Sequence, residues 1–342
     1  MPWRSACRTA NIGRLACLPC SGARLIGGRS FRKASCLQTL SRRTVYLLLA
    51  FVMLIWSGNS IVARAMRADV PPFTLAFLRW GGAALIALPL ARRRIVADWP
   101  VVRRHWPAIL LLGVIGVGSF NAFMYSGLQY TTAANTLLVQ AAIPALVLLF
   151  DRIFFGTKPR IAQIAGCALA AAGVAIIILR ADPAAIRAMR FNIGDLLVLV
   201  AIMLWSLYTV LLRLKPPIDG LSFMALTILI GALCMAPFSI HELQSRAVHL
   251  SLPVAAGIAY VILFPSILGY FLYNGAVEAI GAGDAGHVVN LQPLFGALLA
   301  ALILGEPIHG YHFAGMALIL VGIGIPLLWP GDRAEPGPEV AG

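Results

Sequence analysis

The stretch Ala165-Gly166-Cys167-Ala168-Leu169 returns 149 residues later as Ala314-Gly315-Met316-Ala317-Leu318. Gly173 and Gly322 follow the two copies at the same distance. Self-similarity at a fixed offset is hard to produce by composition alone, so the match indicates an internal repeat.

The same offset relates positions along much of the chain. The matched pairs are Trp56-Ser57 with Trp205-Ser206, Arg64 with Arg213, Pro144 with Pro293, and Gly156 with Gly305. The sequence therefore predicts two related halves, joined near residues 181–193.

Composition restricts the class of protein. The 342 residues are 60% hydrophobic and 12% charged, with a mean hydropathy of +0.87, whereas an ordinary soluble domain carries about 25% charged residues. The formal net charge is +14, but the basic residues lie between long apolar runs without interleaved aromatic residues. This pattern favours a lipid bilayer over nucleic acid as the partner.

Ten apolar runs are long enough to cross a bilayer, and spans in hydrocarbon must be helical to satisfy their own backbone hydrogen bonds. The runs are 45–63, 73–90, 106–128, 133–155, 161–179, 196–212, 223–240, 252–279, 285–304 and 311–329. The run 252–279 is overlong and has room for a break near Pro265.

The predicted fold class is thus all-α integral membrane, with ten transmembrane helices as two inverted five-helix repeats (5+5), 45–180 and 194–329. Because five is odd, the second repeat crosses the membrane in the opposite sense. Inverted repeats of this kind support alternating access to a site near the midplane.

Lys and Arg predict the orientation. With the N-terminus in the cytoplasm, the inner segments hold 20 basic residues and the outer loops six, a positive-inside bias that makes both termini cytoplasmic. Segment 1–41 has no acidic residue and is expected to be a basic, disordered tail, a targeting peptide being the weaker interpretation. Segment 330–342 is a short C-terminal tail.

Several segments resemble the EamA-like branch of the drug/metabolite transporter superfamily. They are 54–59 (LIWSGN), 71–73 (PPF), 78–80 (LRW), 125–128 (YSGL), the Pro144 and Pro293 helices, and 305–307 (GEP). The resemblance covers about 45–329. It implies a multi-pass protein of the plasma membrane (the inner membrane in bacteria), with ten helices around a central cavity, that exports amino acids, other metabolites or drugs. One departure is Thr157, where the family usually has Glu after the Gly.

Arg79 is the most prominent polar residue inside a span. A cation there costs roughly 2.5–3.5 kcal/mol on insertion scales, so it should face the bundle interior and find a carboxylate, carbonyls or an anionic substrate group. Pinning neighbouring helix ends is the structural alternative.

Other polar and aromatic residues are expected to line a substrate pathway between the halves. Single amides also serve as packing contacts between helices, and the aromatic rings could form the cavity walls. Pro144 and Pro293 should kink matched helices, the best sequence pointer to a transport site. The pathway candidates besides Arg79 are Trp56, Asn59, Asn121, Tyr125, Asn135, Gln140, Trp205, Tyr208, Tyr270, Asn274, His287, Asn290 and Gln292.

Proton coupling is a hypothesis that rests on His287, since histidine changes charge near physiological pH. The nearby carboxylates Glu278 and Asp284 are expected at the aqueous interface. No metal, cofactor or ATP-binding motif is present, and a homodimer is allowed but not required. A membrane-embedded enzyme or a lipid scramblase is the alternative class, although the chain has no Gly-x-Ser-x-Gly or His-Glu-x-x-His motif.

Overall fold

The structure, a computed structural model, describes residues 40–66, 68–131, 136, 139–179, 192–304 and 310–328. Within these ranges the chain is helical and contains no β-strand. The helices are α1 Arg42–Ala65, α2 Pro72–Arg104, α3 Trp106–Leu128, α4 Ile143–Phe155, α5 Ile161–Ile178, α6 Ile193–Leu211, α7 Gly220–Leu243, α8 Leu252–Ile280, α9 Ala282–Val288, α10 Leu291–Leu304 and α11 Gly310–Leu328.

Seven of the described helices are long and apolar enough to cross a membrane: α1, α2, α3, α5, α6, α7 and α8. Large apolar side chains also cover the outside of the bundle, including Leu85 at 78% exposure, Ile161 at 85% and Leu302 at 81%. Exposed apolar surface on this scale requires an apolar surrounding. The structure therefore has the exterior of a protein embedded in lipid.

The repeated glycines form the contact between α5 and α11. A methyl group on Gly166 would lie 2.3 Å from the carbonyl oxygen of Gly322, and one on Gly173 would lie 2.5 Å from that of Gly315. Small residues allow such close backbone approach. Residue numbers of the contacting glycines rise along α5 while they fall along α11, so the two helices run antiparallel. Each glycine therefore contacts the repeat partner of the other glycine on its own helix.

Helices α2 and α7 occupy matching places in the two halves and also pack on each other. Ser222 Oγ donates to Asp98 Oδ2 over 2.9 Å at one end of the pair, and the Thr74 backbone N–H donates to Glu242 Oε2 over 2.7 Å at the other. This pair is therefore antiparallel as well.

Helices α1 and α6 are exchanged between the halves. Helix α1 packs on α8 and α10, whereas α6 packs on α3 and α4. Ser57 Oγ lies 2.9 Å from the Gln292 carbonyl oxygen, and its repeat partner Ser206 Oγ lies 3.4 Å from that of Ile143. Gln292 and Ile143 are themselves repeat partners, so the two contacts are equivalent.

Two kinds of helix irregularity recur in the two halves. Helices α3 and α8 are π-helical at Val114–Ser119 and Ile262–Leu268. The anticipated break near Pro265 is thus a continuous π-helical segment. Gly116 stands at the position matching Pro265, so proline alone does not explain the irregularity.

The second irregularity is a break ahead of each repeated proline. Residues 139–140 are helical, 141–142 form a turn, and α4 begins at Ile143; 289–290 form the matching turn between α9 and α10. Pro144 and Pro293 therefore lie in the first turn of a new helix, where the missing N–H would have no partner in any case. The matched helices are interrupted instead of kinked at mid-span.

Candidate functional site

An aromatic cluster fills the centre of the bundle, where α1, α6 and α8 meet. Trp56 and Trp205 contact each other edge to face with ring centroids 5.4 Å apart, and Tyr273 lies 5.2–5.3 Å from both. Tyr208 and Tyr270 stack at 5.8 Å. Because Trp56 and Trp205 are repeat partners in direct contact, the cluster lies where the two halves meet symmetrically.

Hydrogen bonds fix the orientation of these rings. The Tyr208 hydroxyl donates to Asn274 Oδ1 over 2.8 Å, and Trp56 Nε1 donates to the Pro265 carbonyl oxygen over 3.1 Å. The Tyr273 hydroxyl lies 3.1 Å from Thr209 Oγ1. The amide nitrogen of Asn274 has no partner within the described residues, so this centre keeps an unused donor.

Arg79 lies beside the aromatic cluster with only 9% of its surface exposed. Its Nε donates to Ser266 Oγ over 2.6 Å, and its guanidinium carbon lies 4.4 Å from the centre of the Trp80 ring. The phenols of Tyr125 and Tyr270 are its other polar neighbours. The carboxylate or carbonyl partner expected from the sequence is not found among the described residues; the partner is a hydroxyl.

The two helix breaks face each other across a small cavity of about 10 Å³, enough for roughly one water molecule. It is lined by Gln140, Ala141, Val289, Asn290, Gln292 and Pro293. Asn290 is 2% exposed and its amide nitrogen has no described partner. The cavity therefore brings residues of both halves together around an unsatisfied donor.

His287 and Asp284 lie on α9 and are 1% and 4% exposed. Asp284 accepts from Arg160 Nη2 over 2.6 Å, from Gln163 Nε2 over 2.9 Å and from Arg42. These donors replace water around the carboxylate, so it is shielded from solvent; its location at the aqueous interface stays a prediction. Both ring nitrogens of His287 lack a partner among the described residues.

The remaining residues predicted for the substrate pathway do not form a single cluster. Asn121 is buried, but its Nδ2 donates to the Val117 carbonyl oxygen over 2.6 Å and so satisfies the π-helical segment of its own helix. Asn59 and Tyr125 are half-buried. Asn135 lies outside the described residues.

Comparison with known proteins identifies the family. The model of the EamA-like transporter family matches the chain twice, at residues 43–179 and 192–327. The chain belongs to this family. It is a multi-pass membrane transporter, and the aromatic cluster, Arg79 and the breaks lie where its two EamA-like segments meet.

Three similar proteins cover between 57% and 83% of the chain. It is 28% identical to the uncharacterized transporter YyaM of Bacillus subtilis over 284 residues, covering 82% of this chain and 92% of YyaM. It is 25% identical to a probable amino-acid metabolite efflux pump of Salmonella typhimurium, covering 83% and 94%. The aromatic amino acid exporter YddG of Ancylobacter novellus is 29% identical, covering 57% and 68%.

A solved crystal structure has the same fold, with a TM-score of 0.71, 22% identity and coverage of 84% of this chain and 99% of that one. The relatives are named as transporters and efflux pumps, not as enzymes. Within the described part of the EamA-like chain, no group of three or more His, Cys, Asp or Glu residues could hold a metal ion.

The sequence analysis did not single out Ser57, Ser206 and Ser266, whose hydroxyls make contacts between the two halves. The first two carried a usable signal, since both follow a repeated Trp. Ser266 carried none, because its contact with Arg79 joins residues 187 positions apart.

Proposed function

We propose that the protein is a secondary transporter that exports small metabolites by alternating access, using ten transmembrane helices in two inverted repeats, 45–180 and 194–329. The reciprocal glycine and serine contacts carry the proposal. Antiparallel pairing of α5 with α11 and of α2 with α7 is what inverted repeats related by a two-fold axis in the membrane plane require.

The substrate pathway follows the surface between the halves. The aromatic cluster supplies apolar walls, Arg79 a cation, and the breaks supply helix ends and the amides of Gln140 and Asn290. Interrupted helices in matching places are the arrangement that secondary transporters use for binding. Helix α9 brings His287 to the same interface. Proton coupling through this histidine is therefore a hypothesis that the geometry allows.

In the proposed orientation, both termini lie on the cytoplasmic side of a bacterial inner membrane. Ion pairs gather at the end of the bundle that this orientation makes cytoplasmic: Arg160 and Arg42 with Asp284, Arg213 with Asp151, Arg94 with Asp219, and Lys215 with Glu278. All but the last join the two halves. The structure therefore fits a conformation closed toward the cytoplasm, with these pairs as the contacts that must open to admit substrate.

The names of the relatives favour export of amino acids or related metabolites. The direct test is counterflow in liposomes containing the purified full-length protein, with labelled amino acids and organic acids, with and without a pH gradient. Uptake that requires unlabelled solute inside would support the proposal. Counterflow of none of the solutes by folded protein would contradict it.

The same liposomes distinguish the lipid scramblase alternative. Fluorescent lipids in the inner leaflet should stay protected from an external quencher while solute counterflow proceeds. Lipid exchange without solute counterflow would favour the alternative. Proton coupling should be abandoned if solute flux is the same when the gradient is collapsed.

A further inference from the structure

Arg79 is a buried cation whose charge has no counterpart in the described structure. Other partly buried cations of the bundle are paired with a carboxylate, as in Arg160 with Asp284 and Lys215 with Glu278. The guanidinium carries five N–H donors; Nε donates to Ser266 Oγ, and the Tyr125 phenol is a second hydrogen-bonding neighbour. Five N–H donors exceed these two neighbours, so the group can also bind a ligand.

The fold does not require a cation at this place. The residue 149 positions later on α7 is Ile228, which is fully buried. An apolar side chain thus packs well in the equivalent position of the other half. Arg79 adds a desolvation cost that an isoleucine would avoid, which points to a use beyond packing.

The surroundings of Arg79 are aromatic and neutral. Trp80 lies under the guanidinium and contacts Tyr270 edge to face at 5.7 Å, and Tyr270 contacts Trp205 at 6.5 Å. The path from the cation into the aromatic cluster is thus lined by rings. No Asp or Glu is among the described partners of these rings or of Arg79, so the described part of the site offers no anionic group to pair with an ammonium.

The π-helical segment of α8 fixes the position of the guanidinium. Ser266 Oγ lies 2.7 Å from the Val261 carbonyl oxygen and accepts from Arg79 Nε. Stacking on Trp80 holds the plane of the same group. A planar cation held at Nε and over a ring is oriented in advance to meet a carboxylate through parallel hydrogen bonds from its other nitrogens.

We propose that Arg79 binds the carboxylate of the transported metabolite, and that the substrates are small organic carboxylates with an apolar or aromatic body, selected by the carboxylate and not by an amino group. The body lies against the aromatic cluster. This inference rests on the proposed function and specifies its substrate class.

A matched set of probes tests it in detergent by the change in tryptophan fluorescence of the full-length protein. L-Phenylalanine has both charged groups, 3-phenylpropionate has only the carboxylate, and phenethylamine has only the ammonium. We expect both carboxylates to bind with similar affinity and phenethylamine to bind at least tenfold more weakly. Equal or tighter binding of phenethylamine would overturn the proposal, as would no binding of either carboxylate at millimolar concentration.

Arg79→Gln should weaken binding of 3-phenylpropionate by about thirtyfold or more, the usual effect of removing one member of a desolvated charge pair. Arg79→Lys should recover part of the loss, because it restores the charge without the paired donors. Arg93→Gln, which removes an exposed cation from the same helix, is the matched control and should bind as the unaltered protein does.

Gel filtration and a thermal melt show whether Arg79→Gln is folded; if it is not, the probe series on the unaltered protein decides the question. Unchanged carboxylate binding by a folded Arg79→Gln variant would overturn the assignment. Counterflow separates the two proposals, because solute exchange without carboxylate preference contradicts the Arg79 site alone, whereas no exchange of any solute contradicts transport itself.

Discussion

Gly322→Ala should destabilise the protein, whereas Gly324→Ala on the same helix should not. A methyl carbon at position 322 would lie 2.6 Å from the Gly166 carbonyl oxygen and 2.8 Å from the Ala170 nitrogen. Both are backbone atoms of α5, so no side chain can rotate away and the two helices must separate. At position 324 a methyl carbon meets nothing within 4 Å.

The magnitude follows from two opposing effects. Overpacking of a close contact costs about 1–3 kcal/mol, and replacing glycine by alanine inside a helix gains up to about 1 kcal/mol. Gly324→Ala has only the gain, so the two variants should differ by about 2 kcal/mol in the free energy of unfolding. With roughly 2–4 °C per kcal/mol for a large chain, this is a difference of about 4–8 °C in melting temperature.

The assay is the fraction of monodisperse protein that remains after heating in detergent. Gly173→Ala provides an independent repetition, since its methyl carbon would lie 2.5 Å from the Gly315 carbonyl oxygen. Equal melting temperatures for Gly322→Ala and Gly324→Ala would refute the close antiparallel contact, and with it the main structural support for inverted repeats.

Three further outcomes are expected. Asp284→Asn should lower the melting temperature by the equivalent of about 1–3 kcal/mol, less than the loss of a fully buried pair, because its Arg partners are 23–36% exposed. Asp219→Asn removes a charge from a more exposed pair and should change the stability by less than about 1 kcal/mol. A larger effect of Asp219→Asn than of Asp284→Asn would contradict this reasoning. Ser57→Ala should cost about 0.6 kcal/mol and Ser206→Ala less, because the second contact is longer; a larger effect at Ser206, read in the same melts, would argue against these contacts. A C-terminal green fluorescent protein should fluoresce and a C-terminal alkaline phosphatase should be inactive, whereas phosphatase activity would place the C-terminus outside.

The helices were predictable to the extent that hydropathy marks them. Hydropathy ended the second span at residue 90, where Arg92 begins a basic run, but α2 continues to Arg104. The apolar pattern stops where the bilayer stops, whereas backbone hydrogen bonds continue along the helix into water. Hydropathy therefore predicts the membrane-spanning part of a helix better than it predicts where the helix ends.

The candidate site was predictable where the repeat marks it and not elsewhere. Trp56 and Trp205 stood out because both halves keep them, and the structure brings them into contact. The donors around Asp284 come from α1, α5 and the turn before α5. Such long-range partners leave no local pattern, so burial of that carboxylate could not be read from its neighbours in sequence.

The exchange of α1 and α6 between the halves has a consequence for biosynthesis. Helix α1 leaves the ribosome before its partners α8 and α10, which follow about 190 residues or more behind it, a delay of roughly 10–40 s at common rates of translation. During that time its polar groups, Ser57 among them, face lipid or temporary partners. If the halves were separated, α1 and α6 would both lose their packing partners. The two repeats must therefore complete their folding together.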